Sequence, residues 1–406
     1  MVSKSQRLVV IMFCRSCNSS NLFKAIDLGS MPIAGEFLPS ADINPEEFEV
    51  AMYVCKDCGL GQISEDASEE RLFVNYNWRS STSRSTVEHG KDLVDDIRNL
   101  EPGDWVLEIA SNDGYLLKMF LDKGVDVLGV DPAKNIALYA LANGVPTIAE
   151  FFTASLAKEL LRIKGYPRLI IANNVMAHVP DIQDFMHGLS ILSGPKTYVA
   201  VENPSIMNIM NKLHFDTIFH EHFSYLSATA VNSLATRYGL NLFSIDQNSI
   251  HGGSNRYWLS RMHNPYPMVA SLIEQEKAQG LIDELAWGNT YAEIEDKVSR
   301  FKNAIDKMIL DGRKICGYTA SAKSTVLLNF AKVTSDQIVS VADDVLEKQG
   351  MFIPGANIPV VSMEKMLSEE PTDIIVFSWN ILDEIKEKIK QAGYNVNVWA
   401  WTELGD

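Results

Sequence analysis

No apolar run in the sequence approaches the roughly 20 residues needed to span a bilayer. A membrane-spanning helix is therefore not expected. The apolar stretch 8–13 is too short for a signal-peptide core, and no small-residue cleavage site follows it. We read it as a strand leading into the first cysteine pair. Positive charge is scarce: 36 Lys and Arg stand against 52 Asp and Glu, a formal net charge of -16. Nucleic-acid surfaces need clustered Lys and Arg, so a broad one is excluded. A local basic pocket for a small phosphorylated ligand remains compatible with this balance. Cysteine is sparse too, with five in 406 residues, four of them in two CxxC pairs. That excludes a secreted disulfide scaffold and makes the cytoplasm the expected compartment.

The chain is too long for one ordinary core, and three blocks emerge. Residues 1–80 carry the cysteine pairs, many turn residues and little periodicity. Residues 81–300 alternate strand and helix signals, with strands expected at 105–109, 125–130, 168–172 and 197–202 and helices at 115–122 and 132–143. Residues 301–406 repeat the alternation, after one or two long helices over 268–311. The expected architecture is α/β: a small N-terminal zinc-binding module, a central Rossmann-like domain with a parallel sheet, and a second Rossmann-like domain at the C-terminus.

Cys14-x-x-Cys17 and Cys55-x-x-Cys58 each put two thiolates on one tight turn. Four thiolates fill the tetrahedral shell of Zn²⁺ and leave no open position, so the zinc is expected to be structural. In the central block, Glu108 sits on the first strand and is followed by Ala110, Ser111, Asn112, Asp113 and Gly114. Small residues and a turn there let backbone approach a ligand at the strand's carboxyl end. On loop pattern alone a dinucleotide site is equally arguable. Asp131, followed by Pro132, ends the second strand and suits both hydroxyls of a ribose. No GxGxxG opens the helix, which favours S-adenosylmethionine (SAM), a ligand without phosphate. Asn173 and Asn174 follow the next strand, at the methionine or adenine end, and Glu150 is placed to meet the adenine edge.

Three histidine segments suggest acid–base chemistry. His178 directly follows the strand that ends near residue 172. His220-Glu221-His222 sets a carboxylate beside imidazoles, which raises basicity and fixes orientation. His251 opens a flexible loop, Gly252-Gly253-Ser254.

Several motifs taken together resemble the sugar C-methyltransferases that act on nucleotide-linked 4-keto deoxysugars. They are the paired CxxC, LEIASNDG, NNVMAHVPD, HEHFSYLS, HGGSNR, GYTASAK and KQGMFIPGANIPV, and they run through nearly the whole chain. The resemblance implies a zinc module, a SAM domain and a C-terminal domain, the last two clamping the substrate, in a monomer. It implies His222 as base, with Glu221 and His178 in the active site and His178 as our candidate donor to an enolate oxygen. It also matches Tyr76, Trp78, Ser80 and Ser81 to an aromatic pair and serine run near the substrate, with Trp78 and Phe219 where tyrosines are usual. His220, His251, Ser254 and Arg256 are expected to contact substrate. Lys323, Lys348 and Gly350 are expected near the nucleotide diphosphate. The reaction implied is methyl transfer to C3 of a 4-keto-6-deoxy sugar through an enolate. A sugar O-methyltransferase and an NAD-dependent nucleotide-sugar enzyme are the alternatives.

Overall fold

The computed structural model describes residues 12–64, 72, 79–97 and 100–404. Tyr76 and Trp78 lie outside them, as does most of the stretch 8–13. Met12 and Phe13 belong to no strand.

The cysteine block folds into antiparallel strands β1 (Leu22–Pro32), β2 (Glu47–Cys55) and β3 (Gly61–Ile63). The sequence showed little periodicity here, and the structure gives the reason. Two irregularities, between Lys24 and Ile26 and between Asp27 and Ser30, break the register of β1. A bulge shifts the inward face by one residue, so the alternation of apolar and polar positions is lost.

The central sheet uses β4 (Trp105–Ile109), β5 (Asp126–Val130), β6 (Thr147–Ile148), β7 (Leu169–Asn173) and β8 (Tyr198–Pro204). These run parallel in the order β8-β7-β4-β5-β6. Near-continuous apolar runs make such strands, because helices cover both faces. Ser224–Tyr225 (β9) leaves this region and pairs with β3. Then β10 (Asn241–Asn248) and β11 (Ser254–Ser260) extend the central sheet antiparallel, with β11 against β8. The sheet is thus mixed, not purely parallel. The Gly252-Gly253-Ser254 segment, expected as a flexible loop, is the tight connection between its last two strands.

Two long helices follow, Pro267–Ala278 and Glu284–Leu310, as the helical spacing indicated. The last sheet is parallel and contains β12 (Ile315–Tyr318), β13 (Val341–Ala342), β14 (Val360–Val361), β15 (Asp373–Val376) and β16 (Asn397–Ala400). Its order is β14-β13-β12-β15-β16. Chain reversal between β12 and its two flanks places the loop after β12 at a switch point, where α/β sheets bind ligands. Among the described residues no helix is long and apolar enough to cross a membrane.

Candidate active site and zinc centre

The four cysteines converge. Cys14 and Cys58 sulfurs lie 3.5 Å apart, Cys17 and Cys55 sulfurs 3.6 Å apart, and all four fall within 4.8 Å of one another. A tetrahedron with Zn–S bonds of about 2.3 Å has sulfur–sulfur edges of about 3.8 Å, so the cage fits the ion. The cage is tied onward through Arg15, whose amide donates to Gln62 Oε1 on β3. β3 in turn pairs with Ser224 and Tyr225, two and three residues beyond His222.

At the carboxyl end of β4 the loop takes left-handed turns at Ala110 (φ 54°), Asn112 (φ 49°) and Gly114 (φ 77°). Asn tolerates this conformation better than most residues, and Gly at no cost. Gly129 on β5 admits the loop, since a Cβ there would stand 2.4 Å from Ser111 Oγ. Asp131 holds the loop from the far side. Its Oδ2 accepts from the Asn112 amide at 2.8 Å, and its Oδ1 from the Ala133 amide at 2.9 Å. Each oxygen keeps a further lone pair. Glu108 is 4% exposed with Oε2 unpaired, and Asn173 Oδ1 is likewise buried and unpaired. Burial, then the charges of Asp131 and Asp113, raises the Glu108 carboxyl well above the usual range. Such orphaned acceptors suit a ligand that brings donors and positive charge. Asn174 is left-handed at φ 54° and donates its amide to the Glu202 carbonyl. Pro132 is half-buried in the same turn, whereas Glu150 is exposed beyond β6. Ser80 and Ser81, expected beside the substrate, donate their backbone amides to Asn112 Oδ1 at 2.9 Å and Asp113 Oδ2 at 3.2 Å. They therefore brace the β4 loop.

The histidines assemble over the end of β7. The His178 and His222 rings meet edge to face with centroids 4.7 Å apart, and Phe219 lies 4.0 Å from His222. Two expectations need correcting. The Glu221 carboxylate does not orient His222. His222 Nδ1 donates to the Thr217 carbonyl at 2.8 Å, while Glu221 Oε1 packs against Gly35, where a Cβ would come within 2.6 Å. The chain turns here, the His222 amide donating to the Phe219 carbonyl, and the two side chains leave the turn toward different partners. Nor is His178 a donor toward the cleft. Its Nδ1 donates to the Glu221 carbonyl at 2.7 Å, so its Nε2 carries a lone pair. Burial pushes His178 down to about 4 and His222 well below the usual histidine range. Both rings are neutral at pH 7, with Nε2 unprotonated. Burial raises the Glu221 carboxyl to about 7, against the opposing pull of its own and the Gly35 backbone amides.

Lys323, expected near the nucleotide diphosphate, belongs to a second group whose other members, Trp379, His214 and Asp216, the sequence reading missed. Lys323, in the first turn of helix Ala322–Ala331, lies 5.1 Å from the centroid of the Trp379 ring. Trp379 in turn stacks on His214 at 4.2 Å. Asp216 is fully buried and accepts from Trp379 Nε1 at 3.3 Å. Burial lowers the Lys323 ammonium and raises the Asp216 carboxyl, and each group's charge opposes the shift of the other. The Lys323 charge also lowers His222, His214 and His251, the last to about 4 mainly by burial. The sequence signal was present in the string His214-Phe215-Asp216, where an acid sits within an apolar run.

Other expected substrate residues are engaged elsewhere. Arg256 pairs with Glu202 at 2.8 Å, their side chains 8% and 1% exposed, and Glu202 also accepts from Asn248 and lies 2.7 Å from His89. Arg256 is thus held by a buried carboxylate, while its Nε has no hydrogen-bond partner among the described residues. His220 packs edge-on to Phe48 at 5.7 Å and is buried. The Ser254 hydroxyl donates to the Ile250 carbonyl. Lys348 Nζ donates to the Ala320 carbonyl at 2.7 Å and lies 3.6 Å from Asp343, which holds the β12 loop in place. Gly350 is exposed, and its amide donates to the Val360 carbonyl.

Three family models match in series: a zinc binding domain over residues 14–73, a methyltransferase domain over 87–245, and a C-methyltransferase C-terminal domain over 249–398. Together with the cysteine cage and the Rossmann-like sheet, they define a SAM-dependent methyltransferase that carries a zinc-binding domain. The C-methyltransferase NovU of Streptomyces niveus is 32% identical over 392 residues, 94% of this chain and 93% of that protein, and the chain belongs to the SAM-dependent C-methyltransferases. Solved structures align over about half of it. The PH0226 protein of Pyrococcus horikoshii OT3 is 15% identical with a TM-score of 0.35, covering 50% of this chain and 100% of that one. Magnesium protoporphyrin IX methyltransferase from Synechocystis PCC 6803, with bound SAM, is 14% identical with a TM-score of 0.32, covering 44% and 78%.

Proposed function

We propose that this C-methyltransferase acts on C3 of a nucleotide-linked 4-keto-6-deoxy sugar, through an enolate, in the cytoplasm. The observation that carries the reading is the His222 ring, held through Nδ1 by the Thr217 carbonyl so that Nε2 is left as a base, with the charge of a partly buried lysine, Lys323, reaching it. A ketone at C4 acidifies the C3 proton, and His222 Nε2 takes it. His178 cannot donate to the enolate oxygen as a neutral Nδ1–H ring. That task falls to Lys323, whose charge reaches His222 and is worth most in a desolvated cleft. Glu108, Asp131, Asn173 and the β4 loop hold SAM, which supplies an electrophilic methyl group when bound. The nucleotide then lies toward the β12 loop and the helix that Lys323 opens. We take the units as 1–80, 81–300 and 301–406, working as a monomer.

The test separates carbon from oxygen chemistry. With S-adenosylhomocysteine bound in D₂O, the enzyme is expected to exchange the C3 proton of a dTDP-4-keto-6-deoxyhexose, followed by ¹H NMR. No exchange above the buffer rate favours the O-methyl alternative.

Two further results are expected. Hydrogen bonds to a charged acceptor contribute about 1.5–3 kcal/mol, so Asp131→Ala should weaken SAM binding roughly 10- to 100-fold by calorimetry. Unchanged affinity would remove Asp131 from the cofactor site. In ¹⁵N-histidine spectra, His178 should stay in the neutral Nδ1–H form as pH falls past 6.5, taking a proton only near pH 4, because burial disfavours its charged form. An imidazolium pattern at pH 6 would contradict the geometry.

A further inference from the structure

Behind the Gly252-Gly253-Ser254 connection lies a cavity of about 300 Å³. It is walled by the ends of β10 and β11, the helix Met207–Lys212 and the helix Pro267–Ala278. Its polar lining is dominated by carboxamides: Asn208, Asn211, Gln247, Asn255, Gln275 and Gln279. Its two charged groups are already committed. Lys212 Nζ donates to the Gly252 carbonyl at 2.7 Å. The Glu276 carboxylate accepts from the Ala228 amide, the Thr229 amide and the Thr229 hydroxyl at 2.7, 2.8 and 2.7 Å. Met207 and Leu272 add apolar surface. Asn203, across the ladder from Asn255 on the same sheet face, is 1% exposed with both amide atoms unpaired.

We propose that this cavity is a second ligand site, for a neutral sugar or polyol. Asn211 donates to Gln279 Oε1 and Gln247 to Asn255 Oδ1, and a carboxamide that spends one N–H keeps a second donor and acceptor lone pairs side by side, which match a hydroxyl acting as both. An anion or cation would need an uncommitted counter-charge, and neither charged group here supplies one. The apolar wall suits the C–H face of a pyranose ring. The volume falls at the small end of ligand pockets, roughly 300–1,000 Å³, and holds a monosaccharide.

The site is wired to the active cleft. Lys212 and Asn208 donate to the carbonyls of Gly252 and Gly253, the two residues after His251. On the opposite side of that connection, a Cβ at Gly252 would meet Trp379 at 2.3 Å and His214 at 3.0 Å. A sugar bound behind the glycines therefore stiffens the segment that carries His251. The inference does not depend on which acceptor is methylated.

The test is saturation-transfer NMR on the zinc-loaded full chain with S-adenosylhomocysteine, using methyl glycosides of glucose, galactose, mannose and rhamnose as probes. At least one probe is expected to receive saturation in its ring protons. Gln275→Trp, at an exposed helix position, should abolish the transfer by filling the cavity, and Asn211→Leu should reduce it. His222→Ala, in the active cleft, should leave it intact. No transfer to any probe would overturn the proposal, as would transfer that survives Gln275→Trp or disappears in His222→Ala.

Discussion

His222→Ala is expected to lower kcat by about 10²- to 10⁴-fold, the usual loss for a general base. SAM affinity should be unchanged, because the β4 loop and Asp131 make no hydrogen bond to this ring. The ring packs against His178 and Phe219, and the hydrogen bond from Nδ1 to the Thr217 carbonyl fixes the tautomer and leaves Nε2 basic. His222→Gln keeps a polar group of similar reach without a basic nitrogen, and should behave like the alanine variant. Full activity in either variant would sink the assignment. Equal loss of SAM binding would mean a collapsed site instead.

Cys58→Ser is expected to have the second large effect, on folding. Structural zinc contributes about 10–16 kcal/mol in small zinc modules. The loss of one thiolate from a closed shell forfeits much of it. The sheet built on β1 to β3 shares one core with the helix Glu284–Leu310 and the last sheet, its β3 edge carries β9, and the Ile63 amide donates to the Phe223 carbonyl. Zinc loss therefore reaches the segment just after His222. Metal analysis should show zinc below stoichiometry. Melting should show an early transition absent from the parent, and kcat should fall further than SAM affinity. A variant with full zinc and a parental melt would contradict the structural role.

Short-range patterns were legible and long-range ones were not. The CxxC pairs, the β4 and β5 strands, and Asp131 each depend on a few neighbouring residues, so the sequence shows them directly. His178 and His222 could be singled out, but not their tautomers, which depend on carbonyls that fold against them. Glu221 misled because sequence adjacency suggests contact, whereas the turn at Phe219–His222 sends the two side chains to different partners, Gly35 and Thr217. The pairing of Arg256 with Glu202 was not legible, because Glu202 is on another strand and nothing local marks it as the partner. The Lys323, Trp379 and Asp216 cluster draws on three segments each more than fifty residues from the next. Only the fold brings them together.

The central claim is carbon methylation, and labelled product tests it most directly. The enzyme is to be incubated with ¹³C-methyl SAM and a freshly made dTDP-4-keto-6-deoxyhexose, and the product examined by ¹³C NMR. A new signal in the range of a carbon-bound methyl, matched by equimolar S-adenosylhomocysteine, is the predicted result. A methoxy signal, or cofactor bound with no transfer to any keto sugar offered, would contradict the account.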